Sequence, residues 1–261
     1  MALTTHQSKE IKDYLVEKIR QKLATYNPET NSMPFHFRLL GKDRMALFSF
    51  IQSVNTMLGT SIFEQVGKII AEPRANRAIG QYKEFEGYIS SEAVLKIDSI
   101  MRDLRSASRN PDKEKETKEV LAVAKKGDLG KKLKARVDLF VEMKDGIEYY
   151  FEIKTAKPNI NEFTSIKKQM LDWIAMRGSE KTKSKIKTIV AIPYNPYEPK
   201  PYERWTLQGL FDLRQEVVVG PEFWDLLGSK NTYEDLLNVF EGAGLELCDE
   251  IDSKMKNLKN K

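Results

Sequence analysis

The stretch VDLFVEMKDGIEYYFEIK, residues 137–154, decides how this chain is read. Two alternating runs, 132–143 and 147–154, flank Lys144-Asp145-Gly146 and predict a β-hairpin. A two-residue Asp-Gly turn would set Lys144 opposite Ile147 and Asp138 opposite Ile153, leaving both faces mixed. A three-residue loop with Gly146 in the left-handed position instead pairs Met143 with Ile147, Val141 with Tyr149, Leu139 with Phe151 and Val137 with Ile153. One face then becomes wholly apolar, and burial of that face selects this register. The opposite face aligns Arg136 with Lys154, Asp138 with Glu152, and Phe140 with Tyr150.

Directly opposed side chains have Cβ atoms roughly 5 Å apart, so two unneutralised carboxylates at Asp138 and Glu152 would destabilise the pair. A shared divalent cation removes that conflict. Hard oxygen donors favour Mg²⁺ or Mn²⁺ over zinc. Lys154 lies two residues beyond Glu152, on the same face, within reach of whatever the cation holds. The pattern points to a metal-dependent phosphodiesterase site.

Outward from the hairpin, helix and strand signals alternate. Residues 8–24 place Ile11, Leu15, Ile19 and Leu23 on one helical stripe. Residues 43–72 predict two helices broken near Gly59, with Thr60 or Ser61 as N-cap and Pro73 as the stop. Ser90 or Ser91 opens a helix through Ala93, Ile97, Ile100 and Leu104. Polar residues 106–119 predict an exposed loop followed by a short helix. Beyond the hairpin, residues 161–176 predict a helix with Phe163, Ile166, Met170, Trp173 and Ile174 on one side. IKTIVAI, 186–192, predicts a buried strand. A proline-rich loop, 193–205, and a mixed segment containing EVVVG and EFWDLL follow. The expected architecture is α/β (or α+β), a mixed β-sheet flanked by helices, with a mostly helical N-terminal region (1–120) and a core at 121–261.

Composition narrows the chemistry. The 261 residues are 41% apolar, sufficient for a full core, with a formal charge of +5 and 31% charged residues, so local clusters matter more than the total. Cys248 is the only cysteine, and His6 and His36 are the only histidines. These counts disfavour disulfide frameworks, zinc clusters, His-metal nucleases and Ser-His-Asp hydrolysis. No GxxxxGK[ST] or GxGxxG motif occurs. The N-terminus has no apolar signal core and no run reads as a membrane span, so a cytoplasmic protein is expected.

Asp138, with Glu152-Ile153-Lys154 fourteen positions later, resembles the PD-(D/E)xK motif of many type II restriction endonucleases. Val137 stands where the motif name has proline, a position often varied in the superfamily. FEQVGKIIAE (63–72), FEIKTAKPN (151–159) and IPYNPYEP (192–199) resemble the TdeIII group of restriction enzymes. The resemblance implies Mg²⁺-dependent cleavage of double-stranded DNA by a homodimer at a short symmetric site of the GGNCC kind. It further implies products with a 5′-phosphate and a 3′-hydroxyl. Asp138, Glu152 and the Ile153 carbonyl would hold the metal, Lys154 would orient water or stabilise phosphate charge, and Glu64, helical after Gly59, would complete the site. Glu142 competes with Glu64 for that place, and Lys167 and Gln169 could reach phosphate or water.

Two basic clusters flank the motif: 125–136 has six bases against one acid, and 177–187 has five against one. Such clusters suit the phosphate backbone, so Lys131, Lys132, Lys134, Arg136 and Lys157 are candidate DNA contacts, as are Asn195 and Arg204 in the proline-rich loop. Cys248 and the tryptophans read as packing residues. A repair or junction-resolving nuclease with the same core, and a non-catalytic DNA-binding module, are the alternative functions.

Overall fold

A computed structural model describes residues 2–27, 33–130, 132–155, 160–181, 185–202 and 207–259. Its centre is a five-stranded mixed sheet with strands in chain order: β1 (Ala75–Gly87), β2 (Leu133–Met143), β3 (Ile147–Ile153), β4 (Lys185–Ile192) and β5 (Val217–Val219). The first three strands are antiparallel and the last two continue parallel to β3. The crossover from β3 to β4 is made by α7 (Ile160–Glu180), as a parallel pair requires. Both faces of the sheet are covered. On one side lie α5 (Ser91–Arg105), α6 (Lys113–Leu121) and α7, around Ile97, Phe163, Trp173 and Val190. On the other lie α1 (Thr5–Thr25), α4 (Phe63–Ala71), α8 (Pro221–Leu227) and α9 (Thr232–Lys259), around Ile11, Val66, Phe151 and Trp224. Each large side chain withdrawn fully from water contributes about 1.5–3 kcal/mol, which is why β4 reads as an almost unbroken apolar run.

The hairpin has the three-residue loop. Gly146 sits at φ +78° and donates its N–H to the Met143 carbonyl at 2.9 Å, while the Asp145 carboxylate accepts from Ile147 N–H at 3.0 Å. Leu139 faces Phe151, Phe140 faces Tyr150 and Val141 faces Tyr149, as the burial argument requires. The regular ladder ends at Leu139 and Phe151, one step before Asp138 and Glu152. Val137, expected on the face with Leu139 and Ile153, packs in the opposite cluster with Phe140 and Tyr150, because the strands part there.

Several helical expectations hold in place. Ser90 caps α5, its hydroxyl accepting from Ala93 N–H at 3.2 Å, and α6 follows an irregular segment at 106–112. The break expected near Gly59 is absent. Instead α3 (Lys42–Met57), preceded by the short helix α2 (Pro34–Leu40), runs through a π-helical segment, Leu58–Ile62, directly into α4. The Thr60 and Ser61 hydroxyls bond back to the Thr56 and Met57 carbonyls, so neither serves as an N-cap. The extra residue of the π turn absorbs the irregularity without ending the helix. This rod, Lys42–Arg74, is the one described helix long and apolar enough, by length and composition alone, to cross a membrane. Its second half, Phe63 to Ala71, lies in the core, whereas Leu47, Phe48 and Ile51 of α3 are about half exposed.

Candidate active site

Asp138 lies where β2 is irregular on both sides. Towards β3 the ladder has ended, and the Asp138 Oδ2 atom takes over by accepting the Ile153 N–H at 2.9 Å. Towards β1, pairing is recorded at Gly80 and Tyr82 but not at Gln81, which adopts a left-handed φ of +52°. Irregular strand backbone of this kind re-aims side chains out of the pleat. Here it opens a cleft of about 280 Å³ lined by Gly59, Thr60, Glu64, Arg136, Asp138, Glu152, Lys154 and Gln169.

The side chains in the cleft are brought together by β2, β3 and its exit, α4 and α7. Glu152 is the penultimate residue of β3, paired with Val190 of the parallel strand β4. Lys154 follows the strand; its backbone N–H donates to the Ala191 carbonyl at 2.9 Å, and its Nζ lies 2.7 Å from Glu152 Oε1. The second Glu152 oxygen accepts from Gln169 Nε2 of α7 at 3.1 Å. Glu64 enters from α4 on the other side of the sheet. A Cβ on Gly80 would stand 3.0 Å from the Glu64 carbonyl oxygen, so a side chain there would push β1 and α4 a few tenths of an ångström apart. Arg136 joins the two halves, with Nη2 2.8 Å from Glu64 Oε1 and Nε 3.4 Å from Asp138 Oδ1. The remaining Glu64 oxygen, Oε2, is buried without a hydrogen-bond partner.

Three acids and two bases therefore share one partly dry cleft. Burial foremost, and then the charge of Asp138, pushes the Glu64 carboxyl up to about 7, against the opposing pull of Arg136. Glu152 is raised for the same two reasons, with Lys154 opposing. For Lys154 burial is the largest single influence and acts downwards, yet Glu152 and Asp138 together outweigh it and hold the amine above the ordinary lysine value. Lys154 is thus a cation at neutral pH.

The Glu64 shift fixes a pH dependence. Between pH 4.5 and about 7 the folded chain holds a proton that the unfolded chain has released, so the stability linked to Glu64 is full below 4.5 and is lost as pH rises through about 7. Partly screened and shared with the neighbouring Asp138 charge, the difference amounts to about 1–3 kcal/mol. In metal-free buffer Glu64→Gln should match wild type near pH 4.5 and become more stable by about that amount above pH 7. Urea unfolding across this range checks it, and a gap that does not change with pH would overturn it.

The expected residues divide into three groups. Asp138, Glu152, Lys154 and Glu64 come together, whereas Ile153, beside Glu152 on β3, is not among the residues that line the cleft. Arg136, expected on the DNA backbone, is drawn into the cleft. Lys132, just before β2, and Lys134, near its start, are both paired with Glu86. Asn195 braces its own loop, donating to the Lys200 carbonyl at 2.7 Å and accepting from Tyr197 N–H at 3.0 Å. Glu142 pairs with Glu148 towards the hairpin turn and does not line the cleft. Lys167 is wholly buried among carboxylates and reaches neither water nor phosphate. Lys131, Lys157 and Arg204 lie outside the described residues. Among the described residues no three acidic, histidine or cysteine side chains already stand at metal-ligating spacing; Arg136 and Lys154 are bonded to the carboxylates instead.

Gly59 and Thr60 were not foreseen. They reach the cleft only because the rod continues through its π turn, which no residue pattern announces.

Residues 3–244 match the family described as type II restriction endonuclease, HinfI. The chain is similar to HgiEI and HgiCII of Herpetosiphon aurantiacus, each named a type II restriction enzyme. The identities are 26% and 27%, over 98% of this chain and 99% and 100% of those proteins. It is also similar to the type II restriction enzyme MjaII of Methanocaldococcus jannaschii, 27% identical over 92% of this chain and 70% of that one. The restriction-enzyme resemblance therefore stands, under the HinfI name rather than that of the TdeIII group. With nearly its whole length matched, the chain belongs to the HinfI family of type II restriction endonucleases, which are site-specific deoxyribonucleases.

Proposed function

We propose that this chain is a Mg²⁺-dependent restriction endonuclease, acting as a homodimer, that hydrolyses both strands of duplex DNA at a short symmetric site through Asp138, Glu152 and Lys154. The observation that carries the reading is the meeting of these three side chains with Glu64 in one cleft at the open end of the β2–β3 pair. The donor set suits a hard divalent cation. It offers only oxygen ligands, and the orphaned Glu64 Oε2 is a buried lone-pair site that a cation would satisfy. Asp138, Glu152 and the Ile153 carbonyl would hold Mg²⁺, with Mn²⁺ as a substitute. When bound, the cation polarises the scissile phosphate and acidifies water at it.

The protein's own groups supply the rest. Lys154, kept protonated by Glu152 and Asp138, places a positive charge against the phosphate as negative charge grows there. Gln169 holds Glu152 in place through Nε2. Water oxygen bonds to phosphorus, the bond to the 3′ oxygen breaks, and that oxygen ends protonated, leaving a 5′-phosphate and a 3′-hydroxyl. Lys132, just before β2, and Lys134 and Arg136 on it lead to the cleft and supply backbone contacts whose strength falls with salt.

Digestion of unmethylated plasmid or phage DNA with the purified protein tests the reading. Discrete fragments are expected with Mg²⁺, none with EDTA, and none with Asp138→Asn. Sequencing the fragment ends would give the site, with GGNCC as the first candidate. Uncut DNA with Mg²⁺, or equal cutting in EDTA, would overturn it.

A further inference from the structure

We propose that Arg136 is the resident cation of the metal-free cleft: it yields its place at Asp138 to the divalent ion and, once displaced, binds the DNA phosphate, so that metal loading and DNA contact are coupled. This rests on the reading of Asp138 and Glu152 as metal ligands.

The geometry places Arg136 in competition for a ligand oxygen. Asp138 Oδ2 is committed to the Ile153 N–H, so Oδ1 is the oxygen left to face the cleft, and the Arg136 Nε lies 3.4 Å from it. Arg136 also holds Glu64 Oε1 at 2.8 Å, yet leaves Glu64 Oε2 orphaned in a buried position. The guanidinium thus neutralises the acids without satisfying them, which makes it a replaceable partner. Three carboxyl groups, on Glu64, Asp138 and Glu152, face two cations, Arg136 and Lys154. A divalent ion at the same Asp138 oxygen would face the guanidinium a few ångströms away, where like charges in a partly dry site repel strongly. Lys154 answers to Glu152 and is anchored by its backbone on β4, whereas Arg136 keeps half its side chain in solvent and has room to turn outwards. A planar guanidinium released at the cleft mouth matches a phosphate in two parallel hydrogen bonds.

The test is Mn²⁺ titration by calorimetry, without DNA, of wild type, Arg136→Met, Arg136→Lys and Asp138→Asn. Mn²⁺ affinity should rise on the order of tenfold in Arg136→Met, because the competing charge is gone, with Arg136→Lys between it and wild type. Duplex binding in Ca²⁺ should weaken for Arg136→Met, with the salt slope reduced by about one. A merely structural arginine would lower Mn²⁺ affinity when removed, so unchanged or weaker Mn²⁺ binding in Arg136→Met overturns the proposal. Should Arg136→Met fail to fold by circular dichroism, Arg136→Lys carries the same test, and affinity at or below wild type overturns it. Asp138→Asn separates the two levels: Mn²⁺ bound as tightly as by wild type would overturn the ligand assignment itself, whatever Arg136 does.

Discussion

Lys154→Ala is expected to slow single-turnover DNA cleavage by about 10²–10³-fold while leaving duplex binding in Ca²⁺ within a few-fold of wild type. The reason is electrostatic. The Lys154 amine is one of two cations in a cleft of three acids, and its pKa lies above the ordinary lysine value, so it carries full charge at the pH of the reaction. A fixed charge in a site from which water is partly excluded is worth most where charge develops, at the phosphate in the transition state, and least in the ground-state complex. The loss should therefore fall on the rate constant and not on affinity. Lys154→Arg restores the charge but not the compact point geometry, so partial recovery is expected. Alanine within tenfold of wild type in single turnover would reduce Lys154 to a structural partner of Glu152.

The hairpin was legible because burial, not turn propensity, selects its register. A one-residue slip would set Leu139 and Val141 opposite Glu152 and Tyr150 and leave both faces mixed; instead they face Phe151 and Tyr149, where that argument puts them. The same logic failed one step later, at Val137 and Asp138, since strand separation there is set by β1 and by the left-handed Gln81, neither visible in a two-strand argument. β1 itself escaped notice. Its sequence ANRAIGQYKEFEG alternates poorly because it is an edge strand whose charged residues face solvent, and only pairing with β2 makes it a strand. The long C-terminal helix α9, with Gly242 and Gly244 inside it, is likewise held by packing against α1 more than by propensity. At the site, charge spacing identified Asp138, Glu152 and Lys154, but nothing in residue spacing could show that Arg136 turns inwards to Glu64 across 72 positions.

Lys167→Met is expected to destabilise the fold by about 3–5 kcal/mol, the largest stability effect of any single change considered for this chain. Lys167 Nζ lies 2.6 Å from both Glu116 and Glu216, and all three side chains are fully buried. Lys113 completes the group, 3.0 Å from Glu216 and hydrogen-bonded to the Thr188 hydroxyl. Two acids and two bases balance, and the backbone N–H groups of Asp112 and Asp212 donate to Glu116 and Glu216. Removing one lysine leaves two buried carboxylates sharing a single cation, and an unpaired buried charge costs far more than the intact pair contributes. The consequence reaches the cleft through α7, because Gln169, two residues beyond Lys167, is the group that holds Glu152. A Lys167→Met, Glu116→Gln double variant removes one charge of each sign and should recover a large part of the loss, the coupling being read from a double-mutant cycle in urea. A single variant within 1 kcal/mol of wild type, or a double variant whose loss is the sum of the two single losses, would show that α6 and α7 are joined by their apolar contacts alone and that the ion cluster adds no cohesion of its own.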